Sequence, residues 1–307
     1  MCARGARHDN LCDLKMPRAL KPLVERLTFV GCIVLSGVVM FAGAPAHAQF
    51  PLPRHAPYPG GVAVVKLGGA DSQVGKVLYG GARVLTVRHS EGLLALVGLA
   101  LDTPPGRKIL QVKAGEGSLK PAYDIHFEVK SKAYPAQHLK ISPRFLQPSA
   151  DELERIEREQ IAIDHAKLHW SDEAPAHLFL DIPANGRLSA RFGLRRILNG
   201  QGGSPHAGLD VAVGTGTLLR AAAPGRVINT GDYFYSGKSV FVDHGQGFIT
   251  LYIHMSRIDV TEGDAVERGA TLGLSGATGR VTGPHLHWAV LLNGVYVDPE
   301  LFLQAAR

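Results

Sequence analysis

Glycine and proline cut this chain into short apolar runs, and that punctuation limits the fold more than any other feature of the sequence. With 36 glycines and 19 prolines among 307 residues, strands joined by tight turns become the default over long helices. After a proline-rich leader over residues 49–60, the segments 62–67, 82–87, 93–99, 108–112 and 124–129 each fit a strand. Gly68-Gly69, Gly80-Gly81, Pro104-Pro105-Gly106 and Gly115-Glu116-Gly117 separate them. Strands at this spacing predict a small β-sandwich over residues 57–146. Its histidines, His89, His126 and His138, are scattered and read as ordinary sandwich residues.

A different pattern follows. Ser149-Ala150-Asp151-Glu152 is a capping box, and the charged stretch 151–169 predicts one helix inside a linker spanning 149–170. His165 and His169 stand four apart, which would permit a metal pair. No glutamate follows His165 and no third ligand is near, so a solvated connecting helix is the preferred reading. From Asp181 the pattern returns to strands: 221–228 (broken by Pro224-Gly225), 239–243, 248–254, 270–273, 286–292 and 295–297. These belong to a second domain, 171–303.

The first 48 residues read as an export signal. Arg18, Lys21 and Arg26 precede an apolar run from Leu27 to Ala44, and Ala46-His47-Ala48 is a small-x-small cleavage site leaving Gln49 first. The run is just long enough for an uncleaved anchor, but Gly31, Gly37, Gly43 and Pro45 weaken that alternative. Met16 is an alternative start. All three cysteines, Cys2, Cys12 and Cys32, fall in this segment, so the processed chain has no disulfide and no thiol ligand. Removing residues 1–48, with six basic and three acidic side chains, lowers the formal charge from +6 to +3. That is too mild and too evenly spread for a nucleic-acid partner.

Chemistry concentrates in the last third. Five histidines, His206, His244, His254, His285 and His287, lie within 82 positions. His206-Ala207-Gly208-Leu209-Asp210 sits in a Gly/Pro-rich loop, where turns can bring both side chains to one point. His285 and His287 are two apart in a strand-like run, so both project from one face. Zinc takes nitrogen and oxygen ligands, and a catalytic site uses three from the protein. Each pairing alone is weak; a His-x-His strand is often only two partly exposed histidines. His244, in Val242-Asp243-His244-Gly245, reads as a turn residue.

The order of the motifs says more. Asn185 to Gly193, His206 to Asp210, Gly214 to Thr217, Ala221 to Val227, Val242 to Gly245, Tyr252 to His254, Gly263-Asp264, Gly269, Gly276 to Gly279 and Gly283 to His287 occur in succession. Together they resemble the lysostaphin-type (LytM-like) zinc endopeptidases of bacterial cell walls, without a visible gap from 185 to about 303. Tyr58 to Val62, Leu99 to Gly106, Tyr134-Pro135 and Asp151 to Glu159 are similar to the immunoglobulin-like N-terminal domain of some exported members. The resemblance implies a mainly β chain: an immunoglobulin-like sandwich, a connecting helix and an antiparallel-β peptidase domain. It implies His206, Asp210 and His287 as Zn2+ ligands, and His254 and His285 as unliganded catalytic histidines.

The expected activity is hydrolysis of peptide cross-links in peptidoglycan, with zinc-activated water as nucleophile and a histidine as general acid and base. His285, two residues from a ligand, suits the proton work and His254 the orienting role, though the two are exchangeable at this level. Ser189 and Arg191 are expected to shape the cleft, and residues 231–237 to form a loop that sets specificity. The alternative is a non-catalytic module of the same fold that binds peptidoglycan or activates an amidase; a carboxypeptidase is a lesser one. The chain is expected to be a periplasmic or secreted monomer, and its front domain is a candidate docking surface for a cell-wall protein.

Overall fold

Gly92-Leu93-Leu94-Ala95-Leu96-Val97-Gly98 carries no polar side chain, and the computed structural model shows why: this strand is buried along its whole length. The structure describes residues 51–115 and 121–304; the expected export signal, with its three cysteines, lies outside them. In the front half the strands are β1 (Val62–Gly68), β2 (Val77–Tyr79), β3 (Ala82–Arg83), β4 (Leu85–His89), β5 (Gly92–Gly98), β6 (Gly106–Val112) and β7 (Tyr123–Val129). They form two sheets, β1-β5-β4 and β3-β2-β6-β7.

Ala63, Val65, Leu93, Ala95 and Val97 from the first sheet meet Val77, Leu110 and Val112 from the second in one core. This is the expected sandwich. The segment 82–87, expected as one strand, divides at buried Val84, and its halves join different sheets. The other face of the first sheet, with Val62, Leu85, Val87, Leu94 and Leu96, enters a second core beside Trp288, Val290, Leu292 and Phe302. A sheet lying between two cores needs apolar side chains on both faces, which is why β5 reads as an unbroken apolar run. Asn293 pins this junction. Its Oδ1 accepts the Gly98 N–H at 2.7 Å and its Nδ2 donates to the Gly98 carbonyl at 3.1 Å.

The helix α1 (Ala150–Lys167) starts one residue before the expected range and ends two before it. Both halves of the capping box form: the Glu152 N–H donates to Ser149 Oγ at 3.3 Å and the Ser149 N–H to Glu152 Oε2 at 2.9 Å. Ala166 is its one buried residue. Polar anchors hold the rest, as Arg155 donates to the Asp232 carbonyl at 2.8 Å and Glu159 accepts the Phe234 N–H at 2.6 Å.

Around the helix in sequence come β8 (Ala136–Leu139), β9 (Arg187–Ala190), β10 (Arg195–Leu198), β11 (Gln201–Gly202), β12 (Leu209–Ala212) and β13 (Leu218–Arg220). Then follow β14 (Gly225–Tyr233), β15 (Gly237–Asp243), β16 (Ile249–Ile258), β17 (Ala265–Val266), β18 (Thr271–Ser275), β19 (Leu286–Leu292) and β20 (Val295–Val297). The main sheet runs β17-β14-β15-β16-β19-β12-β9, with β18 against β13 and β16 and β20 against β19. Every pairing within it is antiparallel.

A separate small sheet, β11-β10-β8, pairs β8 and β10 in parallel. So the segment 136–139, expected within the sandwich, is stitched to the C-terminal half, and His138 is not a sandwich residue. Two more expectations change. The strand expected over 221–228 begins only at Gly225, because Pro224 has no N–H to give a ladder. Of the expected loop 231–237, residues up to Tyr233 continue β14, leaving 234–236 as the hairpin tip.

Candidate active site

Three ligand-type side chains converge where β12 and β19 run side by side. Asp210 and His287 are directly opposed across that antiparallel pair. His206 comes from the loop entering β12 and is fully buried. Its Nε2 lies 2.8 Å from Asp210 Oδ1 and 2.9 Å from His287 Nδ1, and that nitrogen is 2.7 Å from the same Oδ1. Among the described residues this is the one group of three or more His, Cys, Asp or Glu able to hold a metal ion. His165 and His169 do not join a second one; His169 instead faces Asp243 at 3.5 Å.

The proton inventory of the cluster points to a cation. His206 Nδ1 faces the Arg191 carbonyl at 2.8 Å, which assigns the proton to that nitrogen. A neutral His206 therefore presents the Nε2 lone pair to a carboxylate oxygen and to another imidazole nitrogen. Acceptors at such distances repel unless a positive charge sits among them. Burial alone would raise the Asp210 carboxyl, but the His206 and His287 rings packed against it outweigh this and hold it far below the usual carboxylate range. Burial is also the main cause that pushes His287 down to about 4. Neutral imidazoles and an ionised carboxylate are the protonation states metal ligation needs.

Gly208 makes the convergence possible. A Cβ there would meet His287 Nε2 at 2.5 Å and the Trp288 carbonyl at 2.6 Å. The middle glycine of His206-Ala207-Gly208-Leu209-Asp210 is thus the seat of the facing imidazole.

His285 and His254 complete the group. His285 stands on the same face as His287, and its Nε2 is 3.8 Å from Asp210 Oδ1. Its Nδ1 donates to the Gly283 carbonyl at 2.8 Å. His254 was expected at the end of a strand and lies instead inside β16, at a bulge, with φ +65°. A left-handed backbone is uncommon for a non-glycine residue and turns its side chain out of the ladder's alternation. Its Nδ1 donates to the Thr278 carbonyl at 2.8 Å, leaving Nε2 free to accept. The His254 and His285 rings are 5.0 Å apart. Burial first, then the neighbouring His287 and His285, pushes His254 down to about 3. Both unliganded imidazoles thus have one nitrogen fixed by a backbone carbonyl and one with a lone pair.

These groups border a cleft of about 300 Å³ whose walls include Ser189, Arg196, Asp210, His254, Arg280 and His285. Ser189 lines it and donates to the Asp210 carbonyl at 3.2 Å. Arg191 contributes only its carbonyl to His206; its side chain pairs outward with Glu300. Gln137, Leu139 and Ile141 form another wall, from β8 and its extension. A second hollow of about 220 Å³ adjoins, sharing Arg196, His254 and Arg280 with the first. Arg196, Arg280 and Gln137 escaped the sequence reading, where a lone polar residue looks like surface. His244 is structural: it is buried, its Nδ1 donates to the Pro224 carbonyl at 2.7 Å, and its Nε2 lies 2.8 Å from Thr250 Oγ1.

Comparison with known proteins agrees with this fold. Residues 204–299 match the model of peptidase family M23, and residues 55–132 match that of the M23 N-terminal domain. A crystal structure of an M23 peptidase from Pseudomonas aeruginosa is 43% identical, with a TM-score of 0.69 over 81% of this chain and 96% of that one. The chain belongs to peptidase family M23, a family of metallopeptidases. Peptidoglycan DD-endopeptidase ShyA of Vibrio cholerae is 40% identical over 114 residues, 37% of this chain and 26% of ShyA. DD-carboxypeptidase/endopeptidase Mpg of Neisseria meningitidis is 39% identical over 113 residues, 37% of this chain and 26% of Mpg. The matched region thus spans about a quarter of the length of these two relatives.

Proposed function

We propose that this chain is an exported zinc-dependent endopeptidase that hydrolyses peptide cross-links of peptidoglycan. The observation that carries the reading is the convergence of His206 Nε2, Asp210 Oδ1 and His287 Nδ1, three acceptor atoms within 2.9 Å of one another, beside two imidazoles that are not part of it. The donor set fits zinc, which favours imidazole nitrogen and carboxylate oxygen and leaves a position open at catalytic sites. When bound, such an ion acidifies a coordinated water and polarises the scissile carbonyl.

The chain's own residues supply the rest. In this reading His285 Nε2 accepts the proton of the attacking water and returns it to the leaving amine. Its Nδ1 proton is held by the Gly283 carbonyl, so the ring cannot turn away. His254, held likewise by Thr278, accepts a hydrogen bond through Nε2 and so orients the attacking water. Peptidoglycan as substrate is supported by the name of ShyA, and export by the pattern of residues 1–48.

His285→Ala is the test. It should keep metal content and circular dichroism near those of the parent while release of muropeptides from purified sacculi, read by mass spectrometry, collapses. Persistent release in the variant would overturn the mechanism; no release by the parent would favour the binding-module alternative. Export is checked by the N-terminal sequence of protein recovered from the cell envelope, which should begin at Gln49.

A further inference from the structure

Two guanidiniums share the cleft with the histidine cluster, and neither is fully partnered. Arg196, on β10, has a side chain only 21% exposed, and its Nη2 lies 3.7 Å from Asp210 Oδ2. That exceeds hydrogen-bond length, and Arg196 Nε is buried with no partner. Arg280, between Gly279 and the Gly283-Pro284 turn, rests over the Tyr235 ring at 4.8 Å. It makes no ion pair among the described residues. Asp210, the carboxylate beside Arg196, already receives two imidazoles through Oδ1. Two half-buried cations, with a single committed carboxylate beside one of them, are unfavourable unless a further anion joins them.

Their position shows where that anion arrives. Arg196 and Arg280, with His254, line both hollows, so the positive charge stands where the two meet, next to the cluster. Gln137 is the register partner of Arg196 across the parallel β8–β10 pair. It lines the same cleft, and its Oε1 is buried without a partner. Arg196 and Gln137 both lie outside the two spans that match the family models.

We propose that Arg196 and Arg280, with Gln137 beside them, form a subsite for a substrate carboxylate. The proposal rests on the peptidase reading above and narrows its substrate class. On the acyl side of a scissile amide, the α-carboxyl carbon is the one attacked. The nearest free backbone carboxylate a substrate can offer therefore sits on the amine side. The preferred substrate is thus a peptide whose amine-side residue is a chain terminus or is joined through a side-chain amine, so that its free α-carboxylate stands next to the bond cut. A planar guanidinium fork suits a carboxylate better than a point charge does.

The test measures binding and hydrolysis separately. Two uncleavable peptides, with the scissile amide replaced by a methyleneamine, end on the amine side in a carboxylate or a carboxamide. Calorimetric titration into the zinc-loaded protein should show at least about tenfold tighter binding of the carboxylate form, the loss expected for one charge-assisted hydrogen bond. Arg280→Gln should bring that ratio below about threefold. Arg158→Gln, on the outer face of α1, should leave it unchanged. Because Arg196 is packed beside Asp210, Arg196→Lys serves as the second variant, and it should lower the ratio through loss of the fork. Equal binding of the two peptides by the parent, or a ratio unaltered in both Arg280→Gln and Arg196→Lys, overturns the subsite. Sacculus hydrolysis by the same parent protein reports on the peptidase reading alone. A ratio near one with hydrolysis intact removes only the subsite, and a high ratio without hydrolysis removes only the peptidase.

Discussion

Replacing Gly208 with alanine tests whether the convergence of His206, Asp210 and His287 exists to hold a metal. The new Cβ would lie 2.5 Å from His287 Nε2 and 2.8 Å from its Cε1, with the Trp288 carbonyl 2.6 Å away on the neighbouring strand. Ordinary contact begins near 3.4 Å, so the ring must retreat by about 0.9 Å, and the strand carbonyl cannot retreat with it. Displacements of ligand-supporting groups typically lower metal affinity about 10- to 100-fold. At free zinc one hundred times the parent's Kd, the ion stabilises the parent by about 2.7 kcal/mol. A hundredfold weaker site retains only about 0.4 kcal/mol of that at the same concentration. The metal-dependent rise in Tm should then shrink by roughly 3–5 °C for a chain of this size. Thermal melts with zinc and with chelator, for both proteins, give this increment directly, and any general destabilisation cancels in the difference. A Gly208→Ala protein that kept the parent's full increment would refute the assignment of His287 as a ligand.

Two further perturbations address the frame around the site. Asn293→Ala removes both hydrogen bonds to Gly98 and leaves that buried N–H and carbonyl unpaired, so denaturant unfolding should show a loss of about 1–3 kcal/mol. An unchanged midpoint would mean the junction between sandwich and peptidase core is held by apolar packing alone. His244, pushed by burial from 6.5 down to about 4, stays neutral in the folded protein while the unfolded chain takes up a proton below about 6.5. Protons therefore favour unfolding, and stability falls as pH drops through the window from 6.5 to 4, by on the order of 3 kcal/mol from this residue. His244→Gln should flatten that part of the pH–stability profile of the zinc-loaded protein; an unaltered slope would show that His244 is solvated in the fold.

How much of this was legible depends on the range over which each feature is encoded. The capping box at Ser149 and Glu152 is local, and the helix begins there as read. The apolar run at β5 is local too, although only the second core explains why no polar residue interrupts it. The five histidines were legible because motif order carried them, and the structure brings four of them, His206, His254, His285 and His287, together with Asp210. The parallel pairing of β8 with β10 was not legible. It joins four residues, Ala136-Gln137-His138-Leu139, to a partner almost 60 positions later, and the segment shows no clear alternation of apolar and polar side chains. The bulge at His254 was hidden for another reason: a positive φ is signalled by glycine or asparagine, and histidine gives no such sign. Arg196 and Arg280 were missed because burial of a charge is a property of its surroundings.

The β8–β10 pairing bears on how such a module can be inherited. A recombination point just after α1 would look clean, since it falls between two regions that each match a family model. Yet it would strip Gln137, Leu139 and Ile141 from the cleft and leave β10 with an unpaired edge, the kind of surface on which chains associate strand to strand. A piece starting near residue 134, upstream of the helix, would keep β8 with β10, though it would uncover the core that the first sandwich sheet shares with Trp288, Leu292 and Phe302. Lineages that shuffle this peptidase onto new partners would have to carry that short strand along or evolve a substitute for it.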